Sequence, residues 1–248
     1  MIQMKLVGVL EKMFDIGGNH DVKKSLEIRE ELLEFLRGEE LLLAPLEDEN
    51  VLLAKNAIHF LDANETYAQT SNMTQARTRL QPFFKRLLAS DDWNYYELKL
   101  LVGSIYLASD AEEAQTLAIK GSERSADFRV TKNVDVLEGG LACNLCARFL
   151  YAKYFEMDTD AAFIAEEFET WFHKLRELEE RHYELELPLQ VTEIRHAILK
   201  QDEVELAKLM EKFEDESDYL EDVINLVISE VRFYTTSKGY LALKGGEE

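Results

Sequence analysis

Apolar positions return every three or four residues along most of this chain, the period of a helix buried on one face. Val22, Leu26, Leu33 and Leu36 keep that spacing over 22–37, and Leu53, Ala57, Phe60, Leu61 and Tyr67 keep it over 49–70. The same pattern predicts helices over 2–14, 74–89, 93–108, 161–183, 189–200, 203–213 and 219–234. Two more complete an all-α chain of about ten helices. One is capped by Asp110 and runs to about Ser125; the other opens at Asn133 or Asp135 and continues to Phe155.

Stop and start signals separate these segments. The turn at 15–19, with Asn19 or Asp21 as the next cap, and Gly38 should bound the second helix. An apolar linker over 41–46 holds Pro45, and Ser71 or Asn72 should end the helix over 49–70. Pro82 should kink its segment or open a shorter helix. Asp91 and Asp92 stand as N-caps before Trp93, and Gly139 with Gly140 should break the start of the helix that ends at Phe155. A cap-rich turn over 157–160, Pro188, the pair Gln201 and Asp202, and then Ser217 or Asp218 divide the remainder, and the last few residues should fray.

The connections are short, so consecutive helices become antiparallel hairpins that stack as an α-solenoid or as a bundle. The tetratricopeptide signature, with its period of roughly 34 residues, is not repeated here. The expected fold is therefore a superhelix of degenerate, tetratricopeptide-like hairpins. It forms a single domain, with N-terminal helices over 1–48, a repeat core over 49–235 and a tail over 236–248.

Composition narrows the job. Hydrophobic residues make up 46%, with only 3 prolines and 11 glycines, which is the make-up of a folded helical chain. The charge, 28 basic against 49 acidic side chains for a net −21, repels phosphate backbones, so no direct nucleic-acid partner is expected. Two cysteines fit a reducing compartment, and no segment reaches the roughly 20 apolar residues that span a bilayer. A cytoplasmic protein without membrane contact is expected.

Two constellations could carry chemistry. Cys143 and Cys146 form a CxxC, but a redox pair of this type expects a preceding strand, and a zinc site needs two further ligands. Two small apolar side chains one turn apart on a buried face explain them more simply. Glu179 with His182, and Glu193 with His196, repeat the ExxH spacing that di-iron bundles use on paired helices. They lie too close along the chain, across Pro188, for the long intervening helix such a centre needs. Neither a metal nor any other cofactor is expected, and no nucleophile–base set stands out. Trp93, Tyr96 and Leu100 read as the core of a hairpin.

The run Trp93, Tyr96, Glu97, Leu98 resembles the W-x-x-Y-E-L segment in the helical-repeat domain of the Rgg/MutR peptide-responsive regulators. Residues 150–155, ending in Tyr154 and Phe155, resemble that family's Tyr-x-Ala-x-Phe-Phe run, and Asn56 to Ile58 falls where the family has a similar short segment. The resemblance implies a non-catalytic sensor. Its concave face would take a short signalling peptide or protein segment, its C-terminal helices would help to form a homodimer, and regulation would act through a partner. Members of the family carry an N-terminal helix-turn-helix that this sequence does not display, and they tend to have Asn near the position of Gly103. Polar side chains on inward faces are the candidate ligand contacts: Asn56, Lys99, Ser104, Asn144 and Arg148. A protein-interaction scaffold is the alternative, and a metal-dependent bundle enzyme the third reading.

Overall fold

Eleven α-helices and no strand occupy the described residues of the chain, which in a computed structural model are 2–15, 22–41, 48–70, 73–156, 159–215 and 221–237. The helices are α1 Ile2–Asp15, α2 Val22–Leu41, α3 Glu49–Thr70, α4 Met73–Ala89, α5 Tyr95–Ser104, α6 Ala111–Ser125, α7 Val134–Phe155, α8 Ala161–Glu179, α9 Glu186–Lys200, α10 Glu203–Asp215 and α11 Glu221–Thr235. The all-helical expectation holds. The turn at 15–19, the linker at 41–46, the breaks at 71–72 and 217–218, part of the 157–160 turn and the tail lie wholly or largely outside the described residues.

The chain divides into two compact units, Met1–Ser109 and Asp110–Glu248. In the first, α3 packs against α2 and α4, and α1 and α5 also lean on it. Its core is built from Leu80, Phe83, Phe84 and Leu87 of α4, with Leu6 and Leu10 of α1 and Leu32 of α2, all fully buried. In the second, α7 is the hub. Its side chains are apolar nearly all round, which demands cover on every side, and α6, α8 and α9 supply it. Helices α10 and α11 then pack on α9.

Local signals explain most boundaries and correct several. Gly38 does not stop α2, which continues to Leu41. The helix also runs through Pro82 in α4, at the loss of one backbone donor. Neither Asp91 nor Asp92 caps α5. The cap is Asn94: its side chain accepts from the Glu97 amide at 3.0 Å, while Glu97 reaches back to the Asn94 amide at 3.0 Å, a complete capping box. Trp93 therefore precedes the helix instead of lying on it. It is buried, and its indole N–H donates to the carbonyls of Leu87 and Ser90, which plugs the end of α4. Helix α5 ends early, at Ser104, in a single 3-10 turn Ile105–Leu107.

In the second unit Asp110 caps α6 as expected, accepting from the Glu113 amide at 2.7 Å. Gly139 and Gly140 do not break α7. A β-carbon at Gly139 would lie 2.5 Å from the Leu185 side chain, so the missing side chain is what lets the 3-10 turn Tyr183–Leu185 seat against α7. Helix α8 ends at Glu179, short of Tyr183, and Pro188 sits in the first turn of α9, where its absent N–H costs nothing. Gln201 closes α9 in the left-handed region at φ 56°, and Asp202 accepts from the Glu205 amide at 3.0 Å to start α10.

Candidate functional site

Asn56, Lys99 and Ser104 belong to the first unit, and each is held by an internal partner. Asn56 is buried on α3 and donates through Nδ2 to Glu97 Oε1 at 3.3 Å. Arg86 of α4 forms an ion pair with the same carboxylate oxygen. Burial lowers the pKa of Arg86 from its ordinary value, and the acidic neighbours Asp92 and Glu49 oppose that shift. The cluster thus ties α3, α4 and the start of α5 together around one buried carboxylate.

Lys99 carries its ammonium 4.1 Å from the centre of the Phe14 ring and 3.2 Å from Glu11 Oε2. Tyr96 stacks on Phe14 and donates its hydroxyl to Glu11 Oε1 at 2.8 Å. Burial, helped by that carboxylate, pushes the Tyr96 phenol up to about 12. Lys99 is a docking contact between α5 and α1. Ser104 is fully buried and donates to the Leu100 carbonyl at 2.7 Å, which satisfies it within its own helix. At Gly103, a β-carbon would come 3.2 Å from the Phe60 ring, so any side chain there requires that ring to give by a few tenths of an ångström.

Asn144 and Arg148 belong to the second unit, on α7. Asn144 is half-buried. Arg148 is fully buried and donates to Glu156 Oε1 at 2.6 Å, binding the end of α7 to its own interior. Its guanidinium also lies 5.7 Å from the Tyr151 ring centre.

The two cysteines separate in environment. Cys146 is buried, and burial pushes its thiol up. Cys143 is half-buried, with Arg195 of α9 donating to its carbonyl at 3.2 Å and lying 3.3 Å from its sulfur. Arg195 is clamped at the same time by Glu230 of α11 at 2.7 and 3.0 Å. Burial alone would lower the guanidinium pKa, but the Glu230 carboxylate outweighs it and raises the value. The pair fastens α11 to α9 and α7.

The two ExxH histidines turn to different carboxylates. His182 Nε2 lies 3.1 Å from Asp135 Oδ2 at the start of α7, and His196 Nε2 lies 2.8 Å from Glu169 Oε1 on α8. Among the described residues, no three His, Cys, Asp or Glu side chains gather where they could hold a metal ion. No described helix is long and apolar enough to cross a membrane.

Sequence reasoning missed a cleft in the second unit. Helices α8, α9 and α10 leave a shallow recess of about 80 Å³ between Phe172, Arg176, Glu193, His196, Glu205 and Leu209. The buried Phe172 ring is part of its lining, with the His196 ring 4.9 Å away and the Arg176 guanidinium at 4.2 Å. Arg176 also reaches Glu193 at 3.3 Å, and Glu205 faces in beside Lys208, 3.2 Å away. Below the cleft Glu169 holds both His196 and Lys200, the latter at 2.6 Å. Burial raises the Glu169 pKa, but the bonds from Lys200 and His196 outweigh it and hold the carboxyl below the ordinary range. Of its lining, Glu193 and His196 stood out in the sequence, as a metal-like spacing set aside because the two pairs lie too close along the chain. Comparison with protein-family models, curated proteins and solved structures found no match to this chain.

Proposed function

We propose that this chain is a non-catalytic binding module of helical hairpins, which takes a short peptide or protein segment in the cleft between α8, α9 and α10. The observation that carries the reading is the cleft itself. Its volume, about 80 Å³, is well below that of a drug-sized ligand site and suits the tip of one side chain, and it sets an aromatic ring beside a few polar groups. The candidate contacts read from the sequence favour this placement by their engagement elsewhere, since Asn56, Lys99, Ser104 and Arg148 each hold one element of the fold to another or to itself. His196, which lines the cleft, is likewise engaged with a carboxylate, that of Glu169.

The finer expectations belong to the same proposal: a superhelix of degenerate tetratricopeptide-like hairpins, a regulatory role of the Rgg/MutR kind exerted through a partner, and a homodimer in the cytoplasm. A scaffold for larger proteins is the second reading. It is favoured by the exposed pair Phe155 and Phe233, stacked at 5.0 Å between ring centres with Leu226 also exposed on α11.

Thermal melts of the full chain against a panel of short peptides test the proposal. A segment that fits the cleft raises the melting temperature, since a ligand at 100 times its Kd adds about 2.7 kcal/mol. Leu209→Glu, at the cleft wall, should abolish that rise while leaving the unliganded melt nearly in place. Absence of stabilisation by every peptide, or stabilisation that Leu209→Glu leaves intact, would count against it.

A further inference from the structure

We infer that the α8–α10 cleft selects an arginine side chain of its partner segment, and that Arg176 occupies this position as an internal stand-in when no partner is bound. The inference rests on the cleft being the binding site proposed above. Three observations lead to it.

Phe172 lines the recess with Ala197 and Leu209, and a guanidinium already lies over its ring at 4.2 Å. An aromatic face attracts a cation through its quadrupole, and a flat guanidinium stacks on it better than a compact ammonium. The wall then supplies the acceptor such a group requires, because Arg176 NH2 sits 3.3 Å from Glu193 Oε1. One side of a guanidinium site is thus demonstrated by the chain's own residue.

Arg176 is nevertheless poorly committed. Its side chain is 47% exposed, and a 3.3 Å contact to a carboxylate that is itself 26% exposed is a weak tether. Swinging into solvent gives up its contacts to the Phe172 ring and to Glu193 and leaves both open to a competitor. Arg195, the neighbouring arginine on α9, is the contrast: it is clamped by two bonds to Glu230 and is not available for exchange.

Charge decides the sign of the competitor. Glu193 and Glu205 both border the recess, and Glu169 beneath it is held ionised by Lys200 and His196. Displacing Arg176 frees the Glu193 carboxylate beside the vacated ring, while Glu205 stays paired with Lys208. The chain as a whole carries −21, which draws cationic segments and repels acidic ones.

The test uses the full chain and three short acetylated, amidated peptides that differ only at a central position, Arg, Gln or Glu between leucines, with Kd measured by calorimetry. The Arg peptide is expected to bind tightest. Arg176→Gln, which removes the internal competitor, is expected to tighten the Arg peptide by about two- to fivefold, the worth of one exposed cation–ring contact. Glu193→Gln is expected to weaken it by a similar factor. Both positions are partly exposed, and circular dichroism melts verify that each variant is folded. If the Arg, Gln and Glu peptides bind the cleft equally, or if Arg176→Gln weakens the Arg peptide, the stand-in idea is overturned and the cleft survives as a binding site. Preference for the Glu peptide overturns it too, making Arg176 a ligand contact for an anion. Binding by none of the three, together with a silent peptide panel, removes the cleft reading itself.

Discussion

Glu97 in the first unit and Glu138 in the second are both buried carboxylates, 2% and 6% exposed, but they keep different company. Glu97 closes a capping box with Asn94 and holds Asn56, which is itself only 4% exposed, while Arg86 reaches it from a side chain that is three-quarters buried. Glu138 receives the Ser125 hydroxyl, Arg129 at 2.8 Å and Lys174 at 3.0 Å, and these two cations are 50% and 32% exposed. The first carboxylate is buried together with its partners, whereas the second is served by cations that reach it from solvent. What a buried charge costs to lose depends on where its partners can go afterwards.

The largest effect should therefore come from Glu97→Ala. It strands Asn56 and Arg86 and removes the Glu97 half of the α5 capping box, at about 3–5 kcal/mol of stability. Glu138→Ala should cost markedly less, about 1–2 kcal/mol, because Arg129 and Lys174 regain water. Urea denaturation of the two variants side by side measures the contrast, and equal losses would break the comparison.

A smaller, pH-dependent effect sharpens it. Asp135, next to the Glu138 cluster, feels burial that raises its pKa. The bond from His182 and the charges of Arg129 and Arg181 outweigh that and hold it below its ordinary value. A carboxyl depressed in the folded state contributes stability above its unfolded value, roughly 3.9, and loses it as pH falls through the lower folded value. Asp135→Asn should thus be less stable than the parent chain at about pH 5, and the gap should close as pH drops below about 4. A gap that stays constant across that window contradicts the assignment. The smallest effect belongs to Lys12→Ala: the Lys12–Glu31 pair is 58% and 40% exposed, so its loss should stay below about 0.5 kcal/mol.

Much of the helical frame was legible in the sequence because its signals are local. The span of α3, the Asp110 cap of α6 and the Asp202 start of α10 all follow from residues within one turn of each boundary. Where the reading failed at α5, the correct signal was equally local: Asn94 followed by Glu97 spells a capping box, and the nearby Asp91 and Asp92 masked it. Gly38 misled because a glycine exposed on a helix face weakens a helix without ending it.

The site was far less legible. Asn56 meets Glu97 across 41 positions, and Arg195 meets Glu230 across 35. No periodicity within one helix announces which polar residue of another will face it. The ExxH spacing gathered Glu193 and His196 on one helix, yet their partners Arg176 and Glu169 come from α8. The cleft exists only where three helices meet, so no single stretch of sequence contains it.

The vacancy at Gly139 acts as a one-atom ruler for the seating of the Tyr183–Leu185 turn on α7. Leu185 rests where a β-carbon would stand, and α9 begins at the very next residue. A single methyl group added at position 139 would have to push the Leu185 side chain aside, so this one contact of the 3-10 turn before α9 with α7 depends on a residue having no side chain at all.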